Sequence, residues 1–178
     1  MTYLRRFLEF VASRLFLVTF LSGLFILAFY LAMNTANIWI LVDEGLETRA
    51  TVVLKGEKEE ALVNYFREEF IAQDPVLQIG TGDGSPYKDY VIRSFHHEVE
   101  MKSVWAWPWE NIARAEAVEK VTNIDGSLSA AAKAELPEGT ESQYAPPQWE
   151  SARYRITLLR TAGRWKISNL QMLERITE

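Results

Sequence analysis

Cysteine is absent from this chain of 178 residues, which removes disulfides, thiolate nucleophiles and cysteine-ligated metals from consideration. Any folded part must then rely on its apolar core. Histidine is scarce: two residues, adjacent at His96–His97. Gly-x-Ser-x-Gly, His-Glu-x-x-His, a phosphate-binding loop and a dinucleotide fingerprint are all missing, so the common hydrolase, zinc-protease and nucleotide-binding signatures do not apply. No cofactor and no metal site is implied. Positive charge is also short, with 19 Lys and Arg against 24 Asp and Glu and a net charge of −5. Arg5, Arg6, Glu9 and Arg14 account for the charges of the first 14 residues, leaving 16 basic and 23 acidic side chains for the rest. An acidic body repels phosphate backbones, and nucleic acid is not an expected partner.

The most consequential absence is local. From Leu15 to Val42 there are 28 residues without one charged side chain. The core of this run, Leu15–Met33, spans about 28 Å as a helix, which matches the hydrocarbon layer of a bilayer. Arginines precede it, and Asp43, Glu44 and Glu47 are the first charges after it. The positive-inside rule then makes residues 1–14 a cytoplasmic tail, 15–37 a transmembrane helix and 38–178 an external domain. A cleaved signal peptide fits less well. Its apolar region is usually shorter, and the nearest cleavage candidates, Ala32-Met33-Asn34 and Asn34-Thr35-Ala36, put Asn where a small residue is wanted. The expected location is the cell membrane, single-pass, with lipid as one partner. Thr19-x-x-x-Gly23 and Ala28-x-x-x-Ala32-x-x-x-Ala36 also permit close helix approach.

Past the span, Ile38, Leu41, Gly45/Leu46, Ala50 and Val53/Leu54 recur at helical steps, with Asp43, Glu44, Glu47 and Arg49 between them. With no breaker before it, this amphipathic helix and the span read as one rod that Lys55-Gly56 ends. Glu57, Glu59 and Glu60 suit the start of a second helix with a stripe of Ala61, Leu62, Tyr65, Phe66 and Phe70, stopped by Asp74-Pro75. Thr81–Pro86 reads as a solvated turn rather than a calcium loop, because Asp83 is its one strong ligand. The period then changes to two. Phe95, Val99, Met101, Trp105 and Trp107 face one way, and His96, Glu98, Glu100 and Lys102 the other. Ala113, Ala115, Ala117 and Val121 predict a second strand ending at Asp125-Gly126. Residues 126–150 read as a long excursion, with a helical turn or two from Ala130 to Glu135. Tyr154, Ile156 and Leu158 mark a third strand, Ala162-Gly163 a turn, and Trp165–Met172 a fourth. Helices followed by antiparallel strands give the α+β class.

That order, closed by the hairpin Tyr154–Leu170 with its Gly163-Arg-Trp165-Lys-Ile167 motif, resembles the nuclear-transport-factor-two-like (cystatin-like cone) superfamily over roughly residues 38–173. The resemblance implies a curved sheet wrapped around helices as a cone with an inner pocket, and a structural role for Gly163, Trp165 and Ile167. The superfamily includes small-molecule isomerases and hydrolases. It also includes single-span assembly proteins of conjugation and type IV secretion machines, whose layout this chain shares. The excursion at 126–150 departs from a simple hairpin, and no catalytic residue of the family maps onto this chain.

Two features carry candidate chemistry. His97 falls on the apolar strand face, where it is either a general base beside a carboxylate or, the favoured reading, a packed core histidine. Strand neighbours point oppositely, so His96 and His97 do not readily share a metal. Trp105, Trp107 and Trp109 line up at a two-residue period. They are either a ligand-binding or interface surface, or a sheet face packed on the Phe66/Phe70 helix; packing is favoured for the first two, and Trp109 is left open. Glu98, Glu100, Glu110, Glu116 and Glu119 supply carboxylates without a defined cleft. The role expected on balance is non-catalytic: a structural or interaction component of a cell-envelope assembly, meeting other envelope proteins or further copies of itself. A tethered small-ligand sensor and a cone-pocket hydrolase or isomerase are the alternatives.

Overall fold

The first proline of the chain is Pro75, and no helix breaker precedes Lys55-Gly56. In the computed structural model, which describes residues 2–82, 84–134 and 144–176, helix α1 runs unbroken from Thr2 to Lys55. Its 54 residues make a rod of about 80 Å. Large apolar side chains along its first half, such as Phe16, Phe20, Phe25 and Phe29, are exposed on all sides. Among the described residues Asn34 is the first buried one, followed by Ile38, Val42, Leu46, Arg49/Ala50 and Val53 at three- and four-residue steps. After its charged first turns, one helix therefore changes from apolar all round over Leu15–Met33 to amphipathic at Asn34. Gly56, at φ +64°, ends it in the left-handed conformation.

The second helix does not form as expected. Glu59–Asn64 is a 3-10 helix, and Tyr65–Arg67 then leaves the helical path. Arg67 N donates to Ile167 O at 2.9 Å and Ile167 N to Tyr65 O at 2.8 Å, a parallel bridge centred on Phe66 and Ile167. Sheet partners satisfy backbone groups that a continued helix would have satisfied internally, so pairing outweighs the helical stripe. A single-turn helix α2, Glu68–Ile71, follows. Asp74-Pro75 is a start rather than a stop. Asp74 caps helix α3, Pro75–Thr81, by accepting from Val76 N at 3.1 Å, with proline at its first turn.

Four strands form an antiparallel meander: β1 (Tyr90–Trp105), β2 (Ile112–Leu128), β3 (Ala152–Thr161) and β4 (Arg164–Arg175). The chain is thus α+β, a long helix on a curved four-stranded sheet. Strand β1 starts five residues before Phe95, and β2 passes through Asp125-Gly126 instead of turning there. Tyr90 pairs with Leu128 and Ile92 with Gly126, while Arg93 grips Asp125 at 2.8 Å. The excursion consequently begins after Leu128. Helix α4, Ala130–Ala134, stands where a helical turn was expected; Glu135 and Asp83 lie outside the described residues. Ala162 and Gly163, both at positive φ, make the two-residue turn between β3 and β4.

Strand alternation holds as far as Met101 and then inverts. Met101 pairs with Ala117 but Ser103 pairs with Glu116, so one extra residue sits in β1. This bulge flips the parity. Val104 packs on the core and Trp105 faces away from it.

The core lies between α1 and the inner sheet face of Ala113, Ala115, Ala117, Tyr154, Ile156 and Ile167. Helix α3 closes one end through Gly80, where an added Cβ would stand 2.6 Å from Val53 Cγ1. Replacing Gly80 by alanine should therefore cost about 1–3 kcal/mol by overpacking, and adding Val53→Ala should relieve part of that loss. Denaturant unfolding of the full chain in detergent micelles measures both.

Candidate functional site

Polar side chains converge inside the sheet's concave face. Arg49 of α1 donates from Nε and Nη2 to the two carboxylate oxygens of Asp74, at 2.6 and 3.1 Å. Both residues are buried. Across the same space, His97 Nε2 of β1 lies 3.3 Å from Glu119 Oε1 of β2. The side chains of His97 and Glu119 are 4% and 0% exposed. Tyr154 of β3 joins them: it pairs with Ala117, which places it diagonally from Glu119 on one sheet face.

Burial pulls the Arg49 guanidinium down, but the hydrogen bond and charge of Asp74, with Glu119 behind them, more than offset this and hold it above its ordinary range. Burial first and the Glu119 charge second push the Tyr154 hydroxyl up to about 12, against the opposing pull of Arg49. Arg49 Nη1 and Glu119 Oε2 have no hydrogen-bond partner among the described residues. In the sequence pattern Arg49 falls between the apolar positions of α1. Its spacing from Val42, Leu46 and Val53 shows that it shares their face.

The His97 side chain is thus enclosed on the inner side of the sheet. Its neighbour His96 is exposed on the outer face with Glu98, Glu100 and Lys102, where Lys102 pairs with Glu100. A cavity of about 340 Å³ opens nearby between Val53, Tyr87, Trp149, Tyr154 and Met172. It touches Tyr154 but not His97, Glu119 or Arg49. A base needs reach to its substrate, and this pair is closed off from that cavity. Trp149, buried with Nε1 unpartnered among the described residues, supplies one of the cavity's walls.

A second constellation forms where α1 enters the core. Asn34 Oδ1 accepts from Trp165 Nε1 at 2.8 Å and from Arg160 Nη2 at 2.9 Å. Arg160 also donates from Nη1 to the Tyr30 hydroxyl at 3.3 Å and lies over the Trp165 ring, 4.4 Å from its centroid. The hairpin motif is thereby explained. Gly163 makes the turn, Trp165 reaches the helix, and Ile167 is fully buried and bridges Phe66. Asn34 was legible only as a poor cleavage-site residue.

Trp105 and Trp107 do not pack on Phe66 and Phe70, which stack on each other with ring centroids 5.1 Å apart. The bulge turns Trp105 outward. It meets Trp107 edge-on at 5.3 Å, and Trp107 stacks on Trp109 at 5.0 Å. Trp105 is 61% exposed and Trp109 70%. A small cavity separates Trp105 and Trp107 from Leu31 and Thr35 of α1.

No family model matches the chain, and no curated protein matches it. Among solved structures it aligns with the crystal structure of the Kfla4162 protein from Kribbella flavida, at 14% identity and a TM-score of 0.45, over 80% of this chain and 95% of that one. Likeness at that level supports no statement about function.

Two outcomes follow from the buried cluster. Arg49→Met leaves two carboxylates in the core without their cation and should lower stability by about 3–5 kcal/mol; urea unfolding in micelles measures it. Because the folded Tyr154 pKa exceeds the unfolded value near 10, its contribution is full below pH 10 and is lost as pH rises toward about 12. Tyr154→Phe should remove this component, making the loss between pH 9 and pH 11.5 smaller by up to about 2 kcal/mol, as unfolding at those two pH values would show.

Proposed function

We propose that this chain is a single-pass membrane protein, N-terminus cytoplasmic and α+β part outside, acting as a non-catalytic structural or interaction component of a cell-envelope assembly. The observation that carries the reading is the continuity of α1. The same rod that holds the bare apolar run also forms the spine of the core, with no flexible joint between them. Bare apolar helix of this length needs a cover, and a bilayer matches it in length. An uncleaved anchor suits the junction. Removal of residues up to Ala36 would strip Asn34 from Trp165 Nε1 and Arg160, leaving their donors unpaired.

Helices ahead of a meander closed by Gly163-Arg-Trp165-Lys-Ile167 suit the nuclear-transport-factor-two-like resemblance. In that superfamily, membrane-anchored assembly parts share this layout. The closed His97–Glu119 pair weighs against a hydrolase or isomerase. A second reading, a tethered sensor, draws on the cavity beside Trp149, whose volume of about 340 Å³ falls at the small end of ligand pockets. A compact, largely apolar ligand would suit its walls.

The two readings differ in what they ask of the junction. A sensor or enzyme works on any tether, whereas an assembly part needs its orientation fixed relative to the membrane, which a helix transmits and a Gly/Ser linker erases. Inserting a flexible Gly/Ser stretch between Asn37 and Ile38 should abolish complementation of a deletion strain at wild-type abundance. Full complementation would favour the tethered sensor.

A further inference from the structure

The outward-facing indoles remain without a role in the core. Strand β1 runs antiparallel to α1: Lys55 lies over the Phe95 ring near its start, and Leu31 and Thr35 face Val104–Trp107 at its end. The β1–β2 turn continues past Trp105 in the same direction, toward the apolar run. The β3–β4 turn reaches the same level, since Arg160 contacts both Tyr30 and Asn34, and its backbone N donates to Asn111 O at 2.8 Å. Both turns therefore stand at the last turns of the apolar run rather than at the far end of the domain. Beside the polar Glu110, Asn111 and Thr161, they expose large apolar side chains that ordinary solvated loops do not carry. Trp105 and Trp109 are exposed, Ile112 is half exposed, and Arg114 and Arg164 are exposed beside them. Among the described residues neither arginine forms an ion pair.

We propose that this end of the domain is a membrane-contacting foot: Trp105, Trp107 and Trp109 lie at the headgroup level of the bilayer that α1 crosses, with Arg114 and Arg164 facing lipid phosphates. The proposal rests on the reading of α1 as a span and adds to it a second, independent contact with lipid. The chemistry fits that depth. Indole pairs a large apolar body with one N–H donor and concentrates at membrane–water interfaces. Arginine adds attraction to anionic lipid. The occupant is lipid rather than another protein because the indoles flank Leu31, a residue of the apolar run that the bilayer already covers. The foot, together with the Asn34 contact, fixes the tilt of the domain over the membrane.

The absence of cysteine permits a clean test on the full chain in phosphatidylcholine–phosphatidylglycerol vesicles. Single variants Trp105→Cys, Trp109→Cys, Phe25→Cys and Ile79→Cys each carry one environment-sensitive fluorophore. Phe25 reports the span. Ile79, exposed and next to the Gly80–Val53 contact some 30 Å further along α1, reports water. The quenchers are a nitroxide lipid, labelled near its headgroup for residues 105, 109 and 79 and deep in its acyl chain for residue 25, and iodide on both sides of the bilayer. We expect the labels at 105 and 109 to be quenched by the nitroxide lipid and to lose accessibility to iodide, with Ile79 showing the reverse. Quenching at Phe25 with Ile79-like behaviour at both 105 and 109 would overturn the foot and leave the span standing. Shielding of 105 and 109 from both quenchers would overturn it in favour of a protein-covered face. Absence of lipid quenching at Phe25 would remove the span and the foot together.

Discussion

Arg49 and Asp74 form a bidentate ion pair from which water is excluded, and the packing of the whole α+β part is arranged around it. Arg49 fixes the rotation of α1, because a helix turned by one residue would swing the guanidinium about 100° away from its partner. Asp74 spends its second role on the helix that follows, where the oxygen that binds Arg49 also caps Val76. Helix α3 is thus tied to α1 at both ends, through this pair and through the close approach of Gly80 to Val53. Glu119 extends the charge field to β2, and the neutral Tyr154 hydroxyl adds a polar group from β3. Taking such charges out of water is costly, and an apolar cluster of equal volume would hold the core at least as firmly. Its distinctive consequence is a single allowed seating of the rod on the sheet.

The rod itself meets two environments. From Leu15 to Met33 its side chains are uncharged and largely apolar around the whole circumference; from Asn34 onward they are sorted into a buried stripe and a polar face. Asn34 marks the boundary and also contributes to the contact across it, since it accepts from both the tryptophan and the arginine of the closing hairpin. The hairpin motif therefore serves the junction as much as the sheet. Its turn sets the strand register, its isoleucine fills the core, and its tryptophan donates to the helix at the point where the helix emerges.

Much of this architecture was legible because it follows from spacing. The long rod is the outcome of a chain without proline before residue 75, the strands follow their period-two runs, and Ala162-Gly163 is a turn by composition. What was missed depends on partners distant in sequence. Leu62, Phe66 and Phe70 have helical spacing, yet the segment around Phe66 pairs with β4 because Ile167 offers its backbone there. Asp74-Pro75 is equally good as a helix end or a helix start, and the Asp74 cap decides it. The parity of Trp105 turns on one bulge residue between Met101 and Ser103, which no alternation pattern displays. Arg49 was the recoverable miss, since counting from Val42, Leu46 and Val53 puts a charged side chain on the apolar stripe. Glu119 was recoverable too, by alternation with Ala113, Ala115 and Ala117. Asn34 was not, because its value lies in Trp165 and Arg160, more than a hundred residues away.

Arg49 and Asn34 together give the junction its mechanical character. They lie fifteen residues apart on one helix, about 22 Å along its axis, and each holds a different element: the segment leading to α3 in one case, the β3–β4 hairpin in the other. One polar contact would fix rotation but leave the rod free to pivot about it. Two contacts separated by four turns also resist tilting, and the apolar packing of Ile38, Val42 and Leu46 fills the interval between them. A torque applied to the exposed half of α1 would therefore reach the sheet as a rotation of the whole body rather than dissipate at a hinge. That rigidity is of little use to a domain that merely needs to be kept near a surface, and it suits one whose orientation relative to its neighbours has to be maintained.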